Sequence, residues 1–176
     1  FNKTVITRPF NEAVLAEIAK DIDPENPEEK GKNLIYAVND PHADTIVDIL
    51  KNIYAEYGGD NDDIMKITGS VGGGNQKKIQ EAIKRFKNER YPSIAVTVDL
   101  LTTGIDVPKI TNLVFLRRVK SRILFEQMLG RATRLCPEIH KTHFEIYDPV
   151  GVYESLEAVN TMKPVVANPS TTFSQL

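Results

Sequence analysis

With 176 residues, 41% of them hydrophobic, the chain is long enough to bury one well-packed core and short for two. A net charge of −2 and an isoelectric point near 6.0 exclude a uniformly basic surface, so any nucleic-acid contact must come from a local patch. The single cysteine, Cys136, excludes an internal disulfide, and His42, His140 and His143 stand in no familiar ligand spacing with it, so no structural metal is expected. No apolar run is long enough to span a bilayer and no signal-like series opens the chain. A reducing cytoplasm and no membrane partner are the expectation. The chain begins at Phe1 with strand-like and helical material at once, which suggests a piece of a longer protein.

A helical pattern at 10–20 comes first. The acid- and proline-rich DIDPENPEEKGK (21–32) follows as a solvated connection, so residues 1–30 are expected to form a leading helix and linker. The continuous apolar run NLIYAV (33–38) reads as a buried strand and 41–57 as a helix. IMKI (64–67), a helix at 75–88 and SIAVTV (93–98) come next. NLVFL (112–116), a helix at 121–135, HFEIY (143–147) and a helix at 152–160 complete the series. The tail at 161–176, with two prolines in MKPVVANPSTTFSQL, reads as a linker or strap. Strands alternating with helices predict an α/β fold for 31–160, a parallel sheet flanked by helices on both faces. Ligands in such folds sit beyond the carboxyl ends of the strands.

Between the second strand and the following helix lies GSVGGGNQKK (69–78), with four of the ten glycines. A P-loop needs G-x-x-x-x-G-K-[ST]; counted from Gly69 the second glycine is Gly74, but Asn75 stands where the lysine should be. A mobile loop and a backbone contact to phosphate both remain open. The next helix is locally basic, with Lys77, Lys78, Lys84, Arg85, Lys87 and Arg90 against Glu81 and Glu89. It is either a solvated charged helix or a DNA-contacting one.

Two stretches carry chemistry. After SIAVTV the chain places Asp99, Gly104 and Asp106 ahead of Pro108. Gly104 can adopt backbone geometry closed to other residues, and Asp106 can accept from a ribose or hold an arginine, although turn formation and capping are the ordinary work of such aspartates. In QMLGRATR (127–134), a helix through 135 would align Gln127, Arg131 and Arg134 on one stripe with Gly130 beside them. Phe125, Met128, Leu129, Ala132 and Leu135 would face the core. Neither arginine has a carboxylate partner in view, since Pro137 separates Arg134 from Glu138. A mid-helix glycine costs roughly 1 kcal/mol, which suggests that something approaches the backbone there. Either the stripe is a solvated polar face or it meets an anion.

Taken in order, NLIYAVNDPHADTIVDIL, ITGS, AIKRFKNERYPSIAVTVDLLTTGIDVP and FEQMLGRATR resemble motifs IV, V and VI of the second RecA-like domain of superfamily 2 helicases and translocases, over residues 30 to 150. Motif VI, Q-x-x-G-R-x-x-R, is filled by Gln127, Gly130, Arg131 and Arg134, and the G-x-D of motif V by Gly104 and Asp106. Within the superfamily, VTVDLLTTGIDVP with QMLGRATR looks most like the R subunit of type I restriction enzymes. Val98, Thr103 and Gln127 depart from the RNA-directed DEAD-box pattern, whereas an excision-repair helicase is a closer competitor.

The resemblance implies a RecA-like fold and half of an ATP site. ATP and Mg2+ would be held chiefly by a P-loop motor domain of the same parent chain, with magnesium ligands there and no metal ligand here. Arg131 and Arg134 would be catalytic, facing the phosphates; Gly104, Asp106, Gln127 and Gly130 would serve ATP binding. Double-stranded DNA would be met through Thr68, Gly69, Ser70, Thr97, Asp99, Thr102 and Thr103. The parent would be a restriction endonuclease and translocase with methyltransferase and specificity subunits as partners, and this chain alone would be inactive. Two readings compete: a non-catalytic nucleic-acid-binding or docking module using the basic helix, and a standalone α/β enzyme using Asp99 and Asp106 as an acid/base pair.

Overall fold

The computed structural model describes residues 5–56, 61–99, 106–119, 121–130 and 133–151. The strands are β1 (Lys32–Tyr36), β2 (Ile64–Lys66), β3 (Ile94–Thr97), β4 (Ile110–Phe115) and β5 (Glu145–Tyr147). The helices are α1 (Arg8–Ile18), a short α2 (Pro27–Lys30), α3 (Asp40–Ala55), α4 (Gln76–Asn88) and α5 (Arg122–Gly130). All strand pairs are parallel, in the order β2-β3-β1-β4-β5, with Leu34 of β1 opposite Ala95 of β3 and Leu113 of β4.

Alternate residues of a strand point to opposite faces, and both faces of this sheet are covered, which is why the strands read as continuous apolar runs. On one face Leu34, Tyr36, Ala95, Leu113 and Phe115 pack with Ile79, Ile83 and Phe86 of α4 and Phe125, Met128 and Leu129 of α5. On the other, Ile35, Val96 and Val114 pack with Leu15 and Ile18 of α1 and Ala43, Ile46 and Leu50 of α3. The caps fix where the helices leave the strand ends. Asn39 accepts from the His42 amide at 2.9 Å to start α3, and Asn75 accepts from the Lys77 amide at 3.0 Å to start α4.

The expected helix at 121–135 is shorter. α5 is described over Arg122–Gly130, the Thr133 hydroxyl donates to the Gly130 carbonyl at 3.3 Å, and Thr133, Arg134 and Leu135 are not helical and precede the Cys136–Lys141 bridge. Leu135 is 61% exposed and does not extend the apolar stripe of Phe125, Met128 and Leu129. The helix does not reach Thr133, so Gly130 is close to its carboxyl end, where glycine's low helix propensity does less harm than in mid-helix. In the acidic linker, Pro27–Lys30 forms a helical turn and Lys32 belongs to β1. Expected strand residues His143 and Phe144 precede β5, and the expected helix 152–160 and the tail lie outside the described residues. Among the described residues no helix is long and apolar enough to cross a membrane.

Candidate functional site

Arg134 is held, but at the surface. Its guanidinium lies 3.0 Å from the Asp106 carboxylate, with the two side chains 63% and 38% exposed. Beside Asp106, Val107 is fully buried in the core, so the carboxylate stands on a packed base. The expectation that the arginines lack carboxylate partners is thus corrected for Arg134. Its partner comes from the segment after β3, 28 positions earlier in the chain, while Glu138 instead sits 3.5 Å from Lys109. An exposed pair of this kind contributes at most about 1 kcal/mol to stability. Its effect is to orient a guanidinium that still has most of its surface free.

On α5, Gln127 and Gly130 are exposed, and a Cβ added at Gly130 would meet nothing within 4 Å. Among the described residues, packing places no demand for glycine there. Arg131 and Gly104, like Thr102 and Thr103, lie outside the described residues.

Thr68 and Ser70, beyond the carboxyl end of β2, turn their hydroxyls to Asp40, the first residue of α3 beyond β1. Ser70 donates at 2.6 Å, and Lys66 reaches Asp40 at 2.9 Å and Asp44 at 2.6 Å. Hydrogen bonds from Ser70 and Thr68, with the Lys66 ammonium, hold the Asp40 carboxyl at about 2, well below the usual carboxylate range. Both hydroxyl protons are committed to this carboxylate, so contact from this loop to an anion falls to backbone groups. Gly69, between them, has open space where a Cβ would be. Asp99 is exposed, whereas Thr97 is fully buried and its hydroxyl has no hydrogen-bond partner among the described residues.

Three residues escaped the sequence reading. Asp40 and Lys66 carry the cluster just described; the signals were a carboxylate opening the helix that follows a strand and one charge inside an apolar strand. The third is Arg117, which follows β4 and donates to the Val98 carbonyl at 2.6 Å, with its Nε buried and without a partner among the described residues. It clamps the exit of β3, from which the segment leading to Asp106 departs.

Residues 14–136 match the family described as helicase conserved C-terminal domain. The type I restriction enzyme EcoKI endonuclease subunit of Escherichia coli strain K12 is 49% identical over 173 residues, which make up 96% of this chain and 14% of that protein. A fragment described as an HsdR subunit of a type I restriction enzyme from Vibrio vulnificus YJ016 is similar in structure, with a TM-score of 0.72 at 27% identity, covering 93% of this chain and 30% of that one. Domain 2 of the DEAD-box helicase Mss116p, solved with an RNA duplex, gives a TM-score of 0.64 at 20% identity over 86% of this chain and 56% of that one, a likeness that speaks for the fold alone. The five-stranded parallel sheet is the RecA-like fold expected from the sequence. With most of its length matched, the chain belongs to the helicase conserved C-terminal domain family.

Proposed function

We propose that residues 31–160 are the second motor domain of an ATP-dependent double-stranded DNA translocase of the type I restriction R-subunit kind, supplying one wall of an ATP site whose other wall is a P-loop domain. The observation that carries this reading is Arg134, oriented by Asp106 at 3.0 Å yet largely exposed. Such a guanidinium can add its charge to a phosphoryl group only when a second surface brings the nucleotide to it. Measured for arginine fingers, that kind of contact is worth about 10³ to 10⁵ in rate. Arg131 is assigned the same role by its place in the motif, and Gln127, exposed on α5, would report the nucleotide's state to the helix.

Magnesium is implied by the family. Among the described residues no group of three or more His, Cys, Asp or Glu side chains converges on one point, and we assign the ion no ligand in this chain. The identity to a restriction endonuclease subunit favours this parentage over an excision-repair helicase. On this reading the parent's partners are duplex DNA and methyltransferase and specificity subunits.

The test is DNA-stimulated ATP hydrolysis by the full-length protein, comparing wild type with Arg131→Ala and Arg134→Ala after confirming folding and DNA binding. A loss of about a hundredfold or more with DNA binding intact is expected. Unchanged rates in both variants would remove the arginines from the ATP site and the motor reading with them.

A further inference from the structure

Helix α4 concentrates positive charge in a chain whose net charge is −2. It carries Lys77, Lys78, Lys84, Arg85 and Lys87 against one acid, Glu81. Among the described residues several other basic side chains are occupied. Lys20 pairs with Glu17, Lys66 with Asp40 and Asp44, and Lys109 with Glu138, while Lys32 and Lys141 bury their ammonium groups on backbone carbonyls. On α4 itself Arg85 turns to Glu89 at 3.3 Å and Asp62 at 4.0 Å. Among the described residues Lys77, Lys84 and Lys87 form no ion pair, not even with Glu81.

Their arrangement is set by the core. Ile79, Ile83 and Phe86 pin one side of α4 to the sheet, which leaves Lys77, Gln80, Lys84 and Lys87 as one exposed stripe at i, i+3, i+7 and i+10. Lys78 is not part of it. Its side chain lies against Gly72, where φ is +62° and an added Cβ would fall 2.3 Å from the Lys78 Cδ. The stripe starts one turn after the Thr68–Ser70 loop at the carboxyl edge of β2. It runs toward the amino edge, where Lys32 reaches the Glu89 carbonyl just past the helix end. Ten residues of helix rise about 15 Å, the axial length of four to five phosphates on one DNA strand at roughly 3.4 Å each.

We infer that the Lys77–Lys84–Lys87 stripe is a sequence-independent contact line for the phosphates of duplex DNA, extending the contact away from the strand ends. The stripe has lysines and a glutamine but no aromatic, arginine or apolar companion. Protein interfaces favour aromatics and arginine over lysine, whereas flexible ammonium groups suit phosphates read without regard to sequence. The choice of duplex DNA rests on the motor reading above.

The test uses the full-length protein and an arbitrary-sequence duplex, with affinity measured across a series of salt concentrations. All three lysines are exposed, so Lys77→Gln, Lys84→Gln and Lys87→Gln together should leave the melting temperature unchanged. The slope of log K against log salt should become shallower by about 2 to 3, at roughly 0.9 per phosphate neutralised. Affinity near 0.1 M salt should fall at least about tenfold, equally for two unrelated sequences. The DNA concentration for half-maximal ATPase stimulation should rise by a similar factor with the maximal rate preserved, and the triple lysine-to-arginine variant should restore the wild-type slope. An unchanged slope and affinity would overturn the inference. Retained DNA affinity with loss of another subunit from the assembly would overturn it in favour of a protein-docking face. Arg131→Ala and Arg134→Ala, run alongside, separate the two claims: if both leave the ATPase untouched, the motor reading fails whatever the stripe does.

Discussion

Arg134 and Asp106 form a pair whose geometry matters more than its energy. Because both partners are substantially exposed, Asp106→Asn should change unfolding free energy by less than about 1 kcal/mol. The same change releases the guanidinium from its bearing and should lower DNA-stimulated ATPase by about tenfold. A combined denaturation and ATPase measurement checks both, and a variant with wild-type turnover would show that Arg134 needs no such support. His42 offers a second test at this scale. Burial lowers its pKa from 6.5 to about 4, and its Nδ1 already accepts from the Val38 amide at 3.1 Å while Nε2 meets the Asn11 side chain at 3.1 Å, an arrangement suited to the neutral ring. The unfolded chain therefore takes up a proton from about pH 6.5 downward that the folded chain refuses until about 4. Stability contributed by the neutral ring is complete above that window and lost as pH falls through it, by roughly 3 kcal/mol at most. Urea titrations from pH 4 to 7 should show a steeper slope for wild type than for His42→Gln; equal slopes would contradict the neutral, buried ring.

At the scale of elements, the strands were legible because burial on both faces makes them continuous apolar runs bounded by turns and caps. The end of α5 was not. Apolar spacing continues through Leu135, but the chain has left the helix by Thr133 on its way into the Cys136–Lys141 bridge, and that side chain is exposed to solvent. The candidate site divides in the same way. Residue types and spacing single out Gln127, Gly130, Arg134 and Asp106. The Arg134–Asp106 pair, the Asp40 cluster and the Arg117 clamp join residues 28, 26 to 30 and 19 positions apart, and which of them meet depends on the strand order and loop paths. The two-faced core makes its own prediction. Phe86 is fully buried between α4 and the sheet, so Phe86→Ala should cost about 3 to 5 kcal/mol in a denaturant titration. A loss below about 1 kcal/mol would mean that α4 is not packed as described.

For the whole molecule, this 176-residue chain corresponds to 14% of the EcoKI subunit's length. A guanidinium on an open surface cannot by itself bind and orient a nucleotide for hydrolysis, so the isolated chain should turn over ATP at background rates even with DNA present. Steady turnover by pure chain would show that the site is not shared. The central claim, that Arg134 completes an ATP site across a domain boundary, is met most directly by a structure of the full-length protein with duplex DNA and a non-hydrolysable ATP analogue. The Arg134 guanidinium should lie about 2.7 to 2.9 Å from a phosphate oxygen, having loosened or shared its contact with Asp106. An Arg134 still paired only with Asp106 and remote from every phosphate, in a closed and nucleotide-loaded cleft, would contradict it.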